Sequence, residues 1–420
     1  MQYDYFHKFT IIFNLPYMKT KHYINVILFV LVVSFASCVN SSGSKTNDCQ
    51  VIDVAYELDN AQLVNLSKYA SSIEYIPLET SVESMLGRVA ALAEGNDCFY
   101  LASGEGVKVF DSDGKYTGNI GSTGRGPGEV GKVSKIICEE ETKGVALVDI
   151  DKIVVYDHKD NSVLREMDIA LSGNKMGSKV IGYAGNGSYE LYNVVYDSNT
   201  GEGIEKAVLL SAEGEILEER IIGPLITDVE EFMGAPLVFS SGSVLYMDNS
   251  DVYSISSSRD TLYRIDDEEK VPELIFDYGK YTSMTRLKEP GMRLTINPST
   301  VVATEKFVLF GLGGLKNGFA SVVPDRAKQR GDGYALYDKQ EKRLYVLKHD
   351  PNHPLIGFKN DIDGGINFVP RFSSANCMYR VENADKFIEY AAQSNSAKMK
   401  EIAAVITEES NPVLIKVVLR

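Results

Sequence analysis

From residue 73 onward, hydrophobic positions come in short runs rich in Val, Ile, Tyr and Phe, and each run stops at Gly, Asn or Asp. Short β-branched and aromatic runs punctuated this way predict strands joined by tight turns. One unit recurs: apolar residues closing on Asp or a close equivalent, then a turn, then another strand. The clearest copies are Val107 to Asp111 before Asp113-Gly114, and Ile153 to Asp157 before Asp160-Asn161. Looser copies are Val208 to Ser211 before Glu213-Gly214, Leu262 to Asp266, and Tyr334 to Asp338. The markers at 111, 157, 211, 266 and 338 lie 46, 54, 55 and 72 residues apart, a spacing that suits a four-stranded propeller blade with variable loops. A sixth copy is read at Met378 to Val381. The pattern predicts an all-β fold, a six-bladed β-propeller of four-stranded antiparallel blades over residues 61–420.

A ring of blades must join its ends to leave no open edge, so Ile73 to Leu78 is expected to pair with Val413 to Leu419. The exception to the strand pattern is 383–407, where Phe387, Ile388 and Ala391, then Ile402, Ala403 and Ile406, recur at helical spacing. This predicts a short helical insertion in the last blade.

The N-terminus reads differently. Ile24 to Ala36 carries no charge and follows Lys19, Lys21 and His22, which fits a secretory signal better than a membrane span of roughly 20 apolar residues. Residues 1–17 read as an upstream extension before Met18. Phe35-Ala36-Ser37-Cys38 resembles a bacterial lipobox, with Cys38 the residue acylated, and the polar run after it reads as a flexible tether over 39–60. A multiply acylated Cys anchors stably. The expected location is the outer membrane, on the periplasmic side rather than the cell surface.

Beyond Cys38 the chain has 40 basic and 57 acidic side chains, a net charge of −17. That balance argues against nucleic acid and anionic headgroups, so membrane contact is expected through the lipid alone. Cys49, Cys98, Cys138 and Cys377 form no CxxC pair, and the last three read as small residues within strands.

Several segments carry a family resemblance. They are Leu66-Ser67-Lys68-Tyr69 leading to IEYIPLET at 73–80, VFDSDGKYTGNIGSTGRGPGEV at 109–130, DTLYRID at 260–266, IFDYGKY at 275–281, NDIDGG at 360–365 and NPVLIKVVLR at 411–420. In this order they resemble the six-bladed β-propeller lipoproteins of the Bacteroidetes, distant relatives of NHL-repeat propellers. The resemblance implies the fold and no particular activity. Where relatives often carry Trp-Pro, this chain has Asn367-Phe368-Val369-Pro370, and it has no Trp.

The Gly-rich run 121–129 offers Arg125 and Glu129 as candidate ligand contacts, although it has no Lys-Ser/Thr ending and reads first as a connection between blades. Asp-Gly segments at 111–114 and 361–365 lack the ligand set of a calcium loop and read as turns. His349 and His353 are four apart, but Pro351 and Pro354 exclude the helix that would align them on a metal. No GxSxG elbow occurs, and neither a metal nor a cofactor is expected. Tyr192, Asn193, Tyr196 and Tyr253 could line a binding surface or pack across strands. The reading favoured is a monomeric binding or scaffold protein of the cell envelope, its partner a protein, peptide or glycan. The alternative is a propeller hydrolase or lyase acting on a glycan or lactone.

Overall fold

The structure is a computed structural model, and it describes residues 49–171, 178–197, 199–232, 235–256, 260–266, 270–279, 294–314, 332–350 and 353–420. The expected signal segment and Cys38 lie outside them.

Six four-stranded antiparallel sheets form the blades. From the axis outward, blade 1 is Ala91–Gly95, Cys98–Ser103, Gly106–Asp111 and Tyr116–Ile120. Blade 2 is Lys135–Cys138, Gly144–Val148, Lys152–Asp157 and Val163–Asp168. Blade 3 is Lys179–Gly185, Ser188–Tyr196, Gly203–Leu210 and Ile216–Pro224. Blade 4 is Val244–Asp248, Asp251–Ile255, Thr261–Ile265 and Lys270–Asp277, and blade 5 is Leu294–Ala303, Phe307–Gly314, Asp332–Asp338 and Arg343–Val346. Blade 6 runs Phe372–Ser373, Cys377–Glu382 and Val413–Leu419, and takes its outermost strand, Ala70–Pro77, from the other end of the chain. Ile73 stands opposite Val417 and Tyr75 opposite Ile415. The innermost strands touch one another in ring order, blade 6 against blade 1 included.

The repeated marker has a physical origin. Asp111 Oδ1 accepts from the backbone N–H of Asp113 and Lys115, at 3.0 and 2.8 Å. Asp157 Oδ1 caps Lys159 at 2.7 Å, Ser211 Oγ caps Glu213 at 3.1 Å, and Asp338 Oδ1 caps Gln340 at 3.0 Å. Each of these four closes the third strand of a blade and ties the turn into the fourth through its own side chain. The sixth copy is corrected on this ground. Met378 to Val381 lies on the second strand of blade 6, whose third strand is followed by no turn because its outer partner comes from residues 70–77.

The helical insertion joins the second and third strands of blade 6, as α2 (Ala384–Gln393) and α3 (Ala397–Ala403), after a first helix α1 (Val54–Asp59) near the N-terminus. Phe387 and Met399 are fully buried, and the Phe387 ring meets Tyr75 edge-on at 5.7 Å. Residues 49–60, expected within the tether, instead form a strand and α1. Gln50–Asp53 adds in parallel to the outer strand of blade 4, and Val54 and Leu58 bury completely or nearly so. Alternation of Ile52, Val54 and Leu58 with polar neighbours supplies the apolar face that docks this segment. Cys49, Cys98, Cys138 and Cys377 are free thiols, the last three at strand ends.

Candidate functional site

An antiparallel four-stranded blade sends its connections to two faces. The turns between first and second strands, and between third and fourth, emerge on one face. Links between second and third strands, and between blades, emerge on the other. The first face carries tight turns at 96–97, 186–187 and 249–250, where Asn96, Asp97, Asn186 and Asn249 take φ of 54°, 61°, 52° and 55°. Asn and Asp tolerate this left-handed backbone better than other side chains do. The second face carries the loop 121–134, the hairpin of Ile226–Phe232 with Ala235–Ser241, the connection 347–371, and α2 and α3. The strand ends from which 280–293 and 315–331 depart lie on it too.

The Gly-rich run links blades 1 and 2 on this loop-bearing face, and the protein's own carboxylates occupy its donors. Glu129 accepts from Gly126 N–H at 2.8 Å, Glu166 from Gly128 at 2.6 Å, and Asp149 from Gly131 at 2.6 Å. Lys152 bridges the Gly126 carbonyl and Glu166, at 2.9 and 2.8 Å, and together with the Gly128 N–H it holds the Glu166 carboxyl below its usual range. Tyr156 donates to the Gly128 carbonyl at 2.7 Å. An anion would find these amides already taken, so the arrangement is an internal latch. Of the two candidate contacts, Glu129 is part of the latch, whereas Arg125 is exposed and makes no ion pair among the described residues.

The NDIDGG stretch is likewise a joint. Asp363 accepts from Asn360 at 2.7 Å, Tyr75 at 3.2 Å, Gly365 N–H at 3.0 Å and Ser396 at 2.5 Å. Asp361 accepts from both Ser67 donors, at 3.0 and 2.6 Å. These contacts tie the last inter-blade connection to the closing strand and to the start of α3. An added Cβ at Gly365 would stand 2.4 Å from the Tyr75 hydroxyl, which is why this position has no side chain.

Tyr192 donates to Glu205 at 2.7 Å, Asn193 is buried, Tyr253 stacks on Tyr246 at 5.3 Å, and only Tyr196 is largely exposed. His349 Nε2 lies 3.0 Å from the His353 carbonyl. Among the described residues no group of three or more His, Cys, Asp or Glu is arranged to hold a metal ion.

Sequence reasoning missed a set of buried carboxylates between and within blades. Glu205 accepts from Tyr192 and from Ser243 at the start of blade 4. Glu139 accepts from Arg165 and from Tyr189 of the next blade. Glu190 pairs with Arg220 at 2.5 Å, and its burial raises the carboxyl pKa against the pull of that guanidinium. The one signal for these was a charged residue inside a largely apolar strand, as Glu190 is in Ser188–Tyr196.

A family described as a domain of unknown function (DUF4934) matches residues 49–418. No curated protein matches the chain. Among solved structures, the chain is similar to a Bacteroides fragilis protein described as exported, at 17% identity and a TM-score of 0.57, covering 89% of this chain and 99% of that one. It also aligns with a DUF4221 family member from Bacteroides vulgatus, at 9% identity and a TM-score of 0.41, over 86% and 98% of the two chains. No helix among the described residues is long and apolar enough to cross a membrane. The family match runs from Cys49 through every blade to Val418, and the chain therefore belongs to the DUF4934 family.

Proposed function

We propose that this chain is a lipid-anchored propeller of the cell envelope that binds a protein, peptide or glycan through its loop-bearing face. The observation that carries the reading is the one-sidedness of the fold. Hairpin, long connections and helices gather on one face, while the other keeps minimal turns. Loops on a rigid scaffold are where recognition residues concentrate. The likeness to the exported Bacteroides fragilis protein supports an envelope location. The apolar stretch ending at Cys38 supports an acyl anchor.

Two measurements test this. In cells, the full chain is expected in the membrane fraction and Cys38→Ala in the soluble one. In vitro, residues 49–420 are expected to bind within a panel of envelope glycans and peptides. That binding should disappear when the hairpin 226–241 is replaced by a two-residue turn, and persist when Asn186 is changed to Asp on the opposite face. Turnover of a glycan or lactone by the same protein would favour an enzyme instead.

A further inference from the structure

Charge is distributed unevenly along the propeller axis. Every innermost strand runs from the loop-bearing face to the turn face. At or beside the turn-face ends stand Glu94, Glu139 and Asp248, and each has a cation: Lys416 at 2.6 Å from Glu94, Arg165 on Glu139 and Lys339 on Asp248. At four of the loop-face ends stand cations instead, while the start of blade 4 holds the buried Glu205 carboxylate against Ser243. Lys135 and Lys179 open the innermost strands of blades 2 and 3, Arg371 directly precedes that of blade 6, and Arg88 lies three residues ahead of that of blade 1. None of these four makes an ion pair among the described residues, and the Lys135 ammonium donates to the Ile181 carbonyl alone. In a chain of net charge −15, four unpaired cations at one end of the axis are a positive mouth in an acidic body.

The cleft between blades 2 and 3 gives that mouth its polar floor. Lys135 shares a strand face with Ile137, and Ser178, the residue just before the strand, stands two positions ahead of Val180. Ile137 and Val180 pack in the same apolar cluster between these blades, which places Lys135 and Ser178 at one cleft, while Lys179 alternates to the side of Ile181, toward blade 4. Ser178 is 7% exposed and its hydroxyl has no hydrogen-bond partner. Buried hydroxyls rarely go unpaired without a reason such as a bound group. Lys135 is half-buried, and burial and the neighbouring Lys179 charge push its ammonium down to about 8. An incoming anion would relieve both.

We propose that the axial mouth between blades 2 and 3 is an oxyanion site, where Lys135 and Ser178 hold the carboxylate or sulfate group of an acidic saccharide and Lys179, Arg371 and Arg88 extend the positive rim. The Lys135 ammonium attracts the anion as a point charge, without the planar fork by which Arg selects geometry. The serine hydroxyl, which donates and accepts, suits a sugar hydroxyl next to the charged group. The inference rests on the loop-bearing face being the binding face and adds the ligand's chemistry.

The test is titration calorimetry on residues 49–420 at low salt, with sodium sulfate, sodium phosphate, glucuronate and neutral glucose as probes. Expected is millimolar or tighter binding of glucuronate, weaker binding of the inorganic anions and none of glucose. Lys135→Met with Lys179→Gln should weaken glucuronate at least tenfold, while Lys143→Asn on the turn face leaves it unchanged. Ser178→Ala should weaken glucuronate more than sulfate. Circular dichroism confirms that each variant is folded. Equal binding of sulfate and glucuronate would overturn the saccharide assignment, and no binding of any anion, or binding unchanged in the double variant, would overturn the site. If the hairpin replacement still abolishes ligand capture when the anions fail, only the oxyanion site falls and the face keeps its role.

Discussion

Among single residues, Lys135 makes the sharpest demand on the fold, a half-buried ammonium with no carboxylate partner among the described residues. Its folded pKa of about 8 lies below the ordinary 10.5. Below pH 8 it is charged in both states and its cost is fully present. Between pH 8 and 9 the unfolded chain holds the extra proton on Lys135, so stability should rise with pH, by on the order of 1 kcal/mol once residual hydration is allowed for. Above pH 9 the trend reverses, because burial holds the Cys138 thiol and tyrosines such as Tyr100 up to about 12 while their unfolded counterparts ionise first. Lys135→Met should raise the urea midpoint at pH 7 and remove the rise from pH 8 to 9. Asp363 is the opposite case, because its carboxylate answers four donors. Asp363→Ala should cost about 2–4 kcal/mol in urea unfolding, as buried donors are left unpaired. The sequence showed Asp361 and Asp363 as turn residues, which they are, but their partners Ser67, Tyr75 and Ser396 come from distant segments that no local pattern connects. Glu129 looked like a ligand contact for the same reason, since its hydrogen bond to Gly126 is a matter of loop conformation.

Blades were legible at the level of elements because a side-chain-capped turn after the third strand recurs as a visible Asp or Ser. Blade 6 hid its rhythm, since its outer strand is borrowed from residues 70–77 and α2 and α3 separate its second and third strands. The segment 49–60 was hidden by its polar surroundings, because three apolar side chains, Ile52, Val54 and Leu58, suffice to dock it. Leu58→Ala should therefore destabilise residues 49–420 by about 2–5 kcal/mol, as expected for a large-to-small change at a core position. Calorimetric melting would check this. A tether role for the segment predicts no change.

On the scale of the whole molecule, stability depends on the ring being closed. Deleting 413–420 removes the partner of both Cys377–Glu382 and Ala70–Pro77. The truncated chain should lose its cooperative unfolding transition in circular dichroism and aggregate, as an opened sheet exposes its edges. That same closure governs when the protein can fold at all. Tyr75 precedes its neighbour Ile415 by 340 residues, so the two leave the ribosome far apart in time. Until those residues arrive, blade 6 has no third strand and the ring has no lock. Contacts across such a sequence separation form slowly. If the chain is exported unfolded, as proposed, it carries its own delay, because the strand that completes the fold is delivered long after the strand it locks.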